Sequence, residues 1–174
     1  FLREADVSLA TLCSTAALRR SHYGHRMAVM GASVAEIAEQ LGKYVAGEVS
    51  PRLVAGAPPA PDSRRVAFVF SGQGPQWFAM GRELVQREPV FRDAVQAIDA
   101  LLSPLSGWSL LEILADEPDK SRLSETVFAQ PALFAVHVAL ADLWKSWGIE
   151  PDGVVGHSIG ELAALYVGGA LSLE

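Results

Sequence analysis

The chain has 174 residues, half of them apolar, and a formal net charge of −6. This length suffices for one full hydrophobic core or two small ones. The acidic balance argues against a nucleic-acid-binding surface, and no apolar run reaches the roughly 18 residues that cross a bilayer, so neither nucleic acid nor membrane is an expected partner. The single cysteine, Cys13, fits a reducing, cytoplasmic location.

The first sixty residues are predicted to form a helix–strand–helix unit. Helical spacing of apolar residues predicts a helix over residues 6–17, and residues 25–30 predict a short strand. The residues available for a buried helical stripe are Val7, Leu9, Leu12 and Ala16. The first residues carry acids and no initiator methionine, and the last have no tail character, so we expect both ends to lie inside a longer polypeptide.

A capping box marks the start of the second helix, and a proline-rich segment marks the end of the unit. Ser33 and Glu36 can each satisfy a free backbone N–H at the helix start, and Gly47 is the predicted stop. Residues 55–63 contain too many prolines for a helix or sheet interior. They predict a linker between two domains, residues 1–62 and residues 63–174.

The second domain alternates strand and helix patterns. Apolar runs predict strands at residues 65–70 and at Val154 and Val155, and Gln130-Pro131 predicts the start of a long buried helix that ends at Gly148. Other helices are predicted over residues 90–101, 110–114 and 159–167. This alternation predicts an α/β domain with a parallel sheet.

The strongest chemical signal is Gly-x-Ser-x-Gly centred on Ser158, between a predicted strand and a predicted helix. In a nucleophile elbow the serine occupies a strained turn, and the flanking Gly156 and Gly160 relieve crowding. The turn exposes the hydroxyl at a helix N-terminus, where backbone N–H groups can stabilise an oxyanion. Ser158 is therefore the predicted catalytic nucleophile.

A second loop, SGQG at residues 71–74, follows the first strand of the same domain and is expected to open at the same sheet edge. Such enzymes take one oxyanion N–H from the residue after the nucleophile and one from an early loop. Ile159 and Gln73 fit these roles. Gln73, Gln130 and His157 are predicted to contact substrate, and no metal site is predicted.

The remaining titratable residues have simpler interpretations. His157 neighbours Ser158 and points to the opposite strand face, which makes it a poor base for that serine. His137 lies on an apolar helix and is expected to be a satisfied core histidine. Glu161 falls in the first turn of the last helix, where a carboxylate favours the helix dipole.

Taken together, the motifs resemble the malonyl-CoA:acyl-carrier-protein acyltransferase family. They are FSGQGPQW at residues 70–77, MG at 80–81, AQPAL at 129–133 and GHSIGE at 156–161. The tryptophan form of the first loop is similar to the type I polyketide synthase branch. Residues 1–62, with RRSH at 19–22 and HRMAV at 25–29, resemble the linker that joins ketosynthase to acyltransferase.

The resemblance implies a fold and a reaction. The fold is an incomplete α/β-hydrolase-like parallel sheet with flanking helices, preceded by a small α+β linker domain. Ser158 would attack malonyl-CoA or a substituted malonyl-CoA, and the acyl group would pass to the phosphopantetheine thiol of an acyl carrier protein. No bound cofactor is expected, and the ketosynthase and other domains of the same megasynthase are the implied partners.

The family's histidine base and its carboxylate-binding arginine both lie downstream of the elbow, and neither occurs in this sequence. The resemblance therefore implies that the 174 residues cannot turn over unless another segment supplies these groups. Ile159 gives a slight preference for malonyl. The alternatives are a serine esterase or thioesterase of α/β-hydrolase or patatin type, which would use water as acceptor, and a non-catalytic linker scaffold.

Overall fold

The structure, a computed structural model, describes residue 2, residues 6–57 and residues 65–173. The chain divides into two compact units, Phe1–Arg64 and Arg65–Glu174, which we call the N-terminal and C-terminal units. The proline-rich part of the predicted linker, residues 58–63, lies outside the described residues.

The described residues of the N-terminal unit form two helices and two strands. These are α1 (Leu9–Leu18), β1 (Arg26–Val29), α2 (Val34–Val45) and β2 (Leu53–Gly56). The two strands pair antiparallel, with Arg26 opposite Gly56 and Val29 opposite Leu53. The prediction missed β2 and wrongly assigned Ala55 and Gly56 to the linker. Four residues without alternation carry little strand signal, and the pairing with β1 supplies the stabilisation.

The ends of α2 follow the predicted capping chemistry. Ser33 Oγ accepts from the Glu36 N–H at 3.1 Å, and Glu36 Oε2 accepts from the Ala32 N–H at 3.2 Å. Gly47, at φ +76°, follows the last turn in the left-handed conformation that ends many helices.

The helix α1 begins one residue after its N-cap, Ser8, whose hydroxyl accepts from the Thr11 N–H at 3.1 Å. None of its residues is buried, and Ala16 of the predicted stripe is exposed. The periodicity therefore predicted the helix correctly, but the expected burial is absent within the described part of this unit.

The C-terminal unit contains a parallel strand pair and five helices among its described residues. They are β3 (Ala67–Phe70), α3 (Arg82–Arg87), α4 (Pro89–Ser106), α5 (Leu110–Ala115), α6 (Thr126–Ser146), β4 (Gly153–Gly156) and α7 (Ile159–Val167). A 3₁₀ turn at Pro118–Lys120 lies between α5 and α6. The parallel pairing of β3 with β4 confirms the α/β class. The α/β-hydrolase-like label and the linker domain stay predictions.

The long helix α6 is the centre of the hydrophobic core. It packs against α4, α5 and α7, and nine of its 21 residues are buried. It begins at Thr126 rather than at Gln130, so the predicted start was wrong. Pro131 lies one turn inside the helix, where its missing N–H leaves only the carbonyl of the exposed Val127 without its usual helical donor.

By length and composition, α6 could also cross a membrane, which differs from the sequence-based expectation that no segment is long and apolar enough. Half of the apolar window is buried inside this unit. Its buried face contributes to a cluster with Phe91, Val95, Leu110 and Ile113, as expected of the core helix of a globular unit.

Asp99 of α4 fixes the start of α5. Its Oδ1 accepts from the Leu110 N–H at 2.6 Å, and its Oδ2 accepts from Ser109 Oγ at 3.1 Å. We expect Asp99→Ala to lower the free energy of unfolding of the C-terminal unit by about 1–3 kcal/mol, because a partly buried N–H loses its acceptor.

Urea unfolding followed by tryptophan fluorescence measures this effect, because all four tryptophans lie in residues 65–174. Asp93→Ala, at an exposed position of the same helix, is the matched control and is expected to change stability by less than about 0.5 kcal/mol. Equal effects of the two substitutions would contradict the role assigned to Asp99.

Candidate active site

The candidate site is formed where the two parallel strands end. Phe70 lies opposite Gly156 in the strand register, and the His157 N–H donates to the Phe70 carbonyl at 3.0 Å. The loop after β3 and the turn after β4 therefore leave the sheet at the same edge, as predicted. This pairing brings together the two motifs that the sequence separates by more than eighty residues.

Ser158 occupies a strained turn between β4 and α7. Its φ is +55° and its ψ is −125°, and it is one of two described non-glycine residues with positive φ. Its hydroxyl makes no capping bond to the helix that follows, and the residue is exposed. A serine held in this conformation presents a free Oγ above the N-terminus of α7.

The two glycines of the motif are required by close backbone approaches. A Cβ on Gly156 would lie 2.2 Å from the Gly160 carbonyl oxygen, and a Cβ on Gly160 would lie 2.3 Å from the Phe70 carbonyl oxygen. Real Cβ atoms do not approach backbone oxygens so closely, so any side chain here would push α7 away from β3. The predicted crowding at the elbow is therefore present.

Gly72 brings the loop after β3 against the elbow. A Cβ built on this buried residue would lie 2.8 Å from His157 Nδ1 and 3.2 Å from Ser158 Cβ. The next residue is Gln73. Among the described residues, neither the Gln73 N–H nor the Ile159 N–H has a hydrogen-bond acceptor. Two unpaired donors therefore lie on the residues predicted to form the oxyanion hole.

The side chain of Gln73 is held by the first turns of α6. Its Nε2 donates to Thr126 Oγ1 at 3.1 Å, and its Oε1 accepts from Gln130 Nε2 at 3.3 Å. Gln130 thus contacts Gln73 across the site, and its role in substrate binding stays a prediction. The sequence analysis missed Thr126, because a single threonine in the first turn of an apolar helix carries no functional signal of its own.

An open cavity adjoins the elbow. Its lining is mostly apolar and comes from α6 and α7: Thr126, Val127, Gln130, Pro131, Phe134, Ile159 and Leu162. Ile159, which follows the candidate nucleophile, is thus part of the wall. An acyl group carried on Ser158 would have apolar side chains beside it.

His157 and Glu161 flank the elbow without contacting the Ser158 hydroxyl. Both are exposed, and no side chain of residues 65–173 forms a hydrogen bond with Ser158 Oγ. In the part of the chain that the structure describes, no group of three or more His, Cys, Asp or Glu residues could hold a metal ion. The chemistry that these residues can supply is an exposed hydroxyl and two N–H donors.

His137 differs from the expected satisfied core histidine. Its Nε2 lies 3.3 Å from Ser71 Oγ, but its buried Nδ1 has no hydrogen-bond partner among the described residues. Its ring meets Phe70 edge-on at a centroid distance of 5.7 Å. Burial lowers the pKa of His137, because the apolar surroundings disfavour the charged imidazolium.

Family models identify the chain. The model described as acyl transferase domain matches residues 67–174, and one described as CurL-like, polyketide synthase C-terminal, matches residues 1–41. The chain therefore belongs to the acyl transferase domain family, in the branch found in type I polyketide synthases. The resemblance inferred from the motifs is confirmed.

Individual relatives agree with this assignment. Polyketide synthase GfsA of Streptomyces halstedii is 42% identical over 171 residues, 98% of this chain and 2% of the relative. The acyltransferase domain from module 8 of the salinomycin polyketide synthase gives a TM-score of 0.75 at 34% identity, covering 99% of this chain and 41% of the solved chain.

A third relative was solved with a ligand. The acyltransferase domain of SpnD in complex with 2-(pent-4-yn-1-yl)malonyl gives a TM-score of 0.73 at 31% identity, covering 99% of this chain and 40% of that one. The chain thus spans a small fraction of the curated relative's length and about two fifths of each solved chain.

The elbow geometry predicts that two glycine substitutions change the free energy of unfolding by very different amounts. Gly160→Ala places a methyl group on the Phe70 carbonyl oxygen and should lower the free energy of unfolding by at least about 2–3 kcal/mol. Gly153→Ala, at a position where a Cβ meets no atom within 4 Å, should change it by less than about 0.5 kcal/mol. Denaturant unfolding of both variants is the test, and a Gly160→Ala variant as stable as wild type would refute the close approach.

The lowered pKa of His137 predicts a pH dependence of stability. As the pH falls through about 6.5, the unfolded chain takes up a proton at this residue more readily than the folded chain does, so the free energy of unfolding falls as the pH decreases until the folded chain is protonated as well. We expect His137→Gln to reduce this slope between about pH 7 and pH 5. The exposed His25→Gln is the control. Identical slopes for wild type and His137→Gln, measured by tryptophan fluorescence, would contradict the assignment.

Proposed function

We propose that this chain transfers a malonyl-type acyl group from coenzyme A to the phosphopantetheine thiol of an acyl carrier protein, through an acyl ester on Ser158. The supporting observation is the unbonded Ser158 hydroxyl on a turn that Gly72 closely approaches, with unpaired N–H groups on the residues that follow Gly72 and Ser158, namely Gln73 and Ile159. Family membership supports the transferase class, and the site supports the serine as its acyl carrier.

The first half-reaction forms the acyl ester. Ser158 Oγ attacks the thioester carbonyl carbon, and negative charge develops on the carbonyl oxygen. The N–H groups of Gln73 and Ile159, with the N-terminal dipole of α7, stabilise this charge. As the C–S bond breaks, coenzyme A leaves as a thiol with the proton lost by the serine.

The second half-reaction repeats these steps in reverse with a different thiol. The phosphopantetheine sulfur attacks the ester carbonyl, the C–O bond to Ser158 breaks, and the proton of the thiol returns to the serine oxygen. The same two N–H groups stabilise the second oxyanion. Both steps need a base that accepts and returns one proton.

We place that base, and the cation that binds the malonyl carboxylate, outside the described residues. No side chain of residues 65–173 forms a hydrogen bond with the Ser158 hydroxyl. We therefore propose that the chain works within a longer multidomain synthase and needs these additional groups for turnover. The ketosynthase of that synthase is the proposed neighbour of the N-terminal unit, acting as a linker domain.

The acyl group is proposed to be malonyl or a substituted malonyl. The cavity beside Ser158 is mostly apolar at its α6 and α7 wall, which suits the alkyl portion of such a group. Ile159 lines this cavity next to the nucleophile, and by the family resemblance an aliphatic residue there favours the unsubstituted extender. The malonyl derivative bound to the SpnD acyltransferase domain supports the substrate class.

The hydrolase alternatives receive less support. The matching family model and the solved relatives are acyltransferases, and the loop after β3 carries Gly-Gln-Gly rather than the His-Gly-Gly-Gly of many lipases. Thiol and water acceptors separate the two classes. A transferase retains the acyl group until a carrier thiol arrives, whereas a hydrolase releases free acid.

Intact mass spectrometry tests the acyl-serine step. The synthase polypeptide that carries this chain is mixed with malonyl-CoA or methylmalonyl-CoA. We expect an adduct of acyl mass that maps to Ser158, disappears in Ser158→Ala, and persists in Ser124→Ala, an exposed serine of the same unit. No adduct in a folded protein would overturn the transferase proposal, and an adduct that survives Ser158→Ala would overturn the choice of nucleophile.

A further inference from the structure

The loop that carries Gln73, residues 71–77, is mostly exposed, so few packing contacts hold it in place. Of residues 71–77, only Gly72 is buried and only Gln76 is half-buried. Gly74 has φ +135°, and a Cβ there would meet no atom within 4 Å. Glycine is therefore needed at this position for its backbone conformation and not because a side chain would clash. An exposed loop with such a residue needs specific bonds to hold one geometry.

Gln76 supplies two of those bonds. Its Oε1 accepts from the Gly74 N–H at 2.7 Å, and its Nε2 donates to the Leu123 carbonyl at 3.3 Å. One side chain therefore ties the peptide between Gln73 and Gly74 to the segment that precedes α6. Neither the elbow nor the predicted substrate contacts include this residue.

Leu123, whose carbonyl accepts the hydrogen bond from Gln76, is held in place by its surroundings. Its side chain is 4% exposed. The adjacent Arg122 forms a bidentate ion pair with Asp116 at 3.0 and 3.1 Å, and its guanidinium lies 5.0 Å from the centroid of the Phe128 ring. The carbonyl that accepts the hydrogen bond from Gln76 thus belongs to a buried residue whose neighbour, Arg122, is ion-paired.

Hydrogen bonds therefore hold both the side chain of Gln73 and the peptide group that follows it. Thr126 and Gln130 bind its side chain, and Gln76 binds the peptide that follows it. An oxyanion donor must lie within a few tenths of an ångström of its working position, because the hydrogen bond to the developing charge weakens steeply with distance.

We propose that Gln76 is a positioning residue for acyl transfer, which links the Gly74 N–H to the Leu123 carbonyl and so keeps the Gln73 N–H directed at the thioester oxygen. The inference rests on the proposed function, because it requires that N–H to act as an oxyanion donor. The two side-chain hydrogen bonds of Gln76 go to backbone groups of Gly74 and Leu123 and not to Ser158, so Gln76 acts through the geometry of the loop.

The test compares Gln76→Met, which keeps the side-chain length and removes both bonds, with Gln96→Met at an exposed position of α4. Ser158 acylation by malonyl-CoA is measured by rapid quench in the synthase polypeptide. We expect kcat for acylation to fall about 10- to 100-fold in Gln76→Met with KM within about twofold, since the lost stabilisation belongs to the transition state. Gln96→Met should match wild type.

Amide hydrogen exchange gives a second, structural readout. The Gly74 amide should exchange faster in Gln76→Met than in wild type, because it loses its acceptor. Gln76→Glu keeps an acceptor oxygen and loses the donor to Leu123, so its kcat should lie between those of wild type and Gln76→Met. If Gln76→Met does not fold, Gln76→Glu decides: a lowered kcat at unchanged KM supports the inference, and wild-type kcat overturns it.

Failure of the positioning role of Gln76 can be distinguished from failure of the proposed function. If wild type acylates Ser158 and Gln76→Met does so with wild-type kcat, or with a raised KM alone, the positioning role is refuted and the proposed function stands. If wild type forms no acyl-serine, the proposed function fails, and the inference fails with it.

Discussion

The close approach of α7 to the end of β3 is the constraint on which the site depends. The Gly160 backbone lies so near the Phe70 and Ser71 carbonyls that no Cβ fits between them, and Gly156 packs equally closely on Gly160. The parallel pairing of β3 with β4 sets the direction of this approach. With both contacts in place, the chain can connect β4 to α7 only through a sharp turn, and Ser158 adopts positive φ there.

The turn at Ser158 places the groups that the proposed chemistry needs. It leaves the serine hydroxyl exposed and the first N–H of α7 unpaired, and the same packing brings Gly72 beside Ser158. The loop after β3 and the helix α6 then share one hydrogen-bond network through Gln73, Thr126 and Gln130. A buried helix thus supports an exposed loop, which is how a rigid scaffold can hold reactive groups in solvent.

The sequence predicted those features that arise from local patterns. The elbow at Ser158, the capping box at Ser33 and the strand at 65–70 each depend on residues close in the chain, and the structure contains all three. The expectation that this strand is buried was wrong, because only Phe70 of β3 is buried in the described residues. The strand β2 and the start of α6 were missed or misplaced, because pairing with β1 and packing in the core outweigh weak local signals. The contacts of His137, Gln76 and Thr126 join residues 47 to 66 positions apart, which no local pattern encodes.

The central claim is that Ser158 carries the acyl group while Gln73 and Ile159 bind its carbonyl oxygen. A crystal structure of the acyl-enzyme, trapped with malonyl-CoA in the synthase polypeptide, measures this directly. We predict an ester on Ser158 Oγ whose carbonyl oxygen faces both backbone nitrogens, so that the oxyanion formed from it would lie about 2.7–3.1 Å from each. An ester whose carbonyl points away from these nitrogens, or an acyl group on another residue, would contradict it.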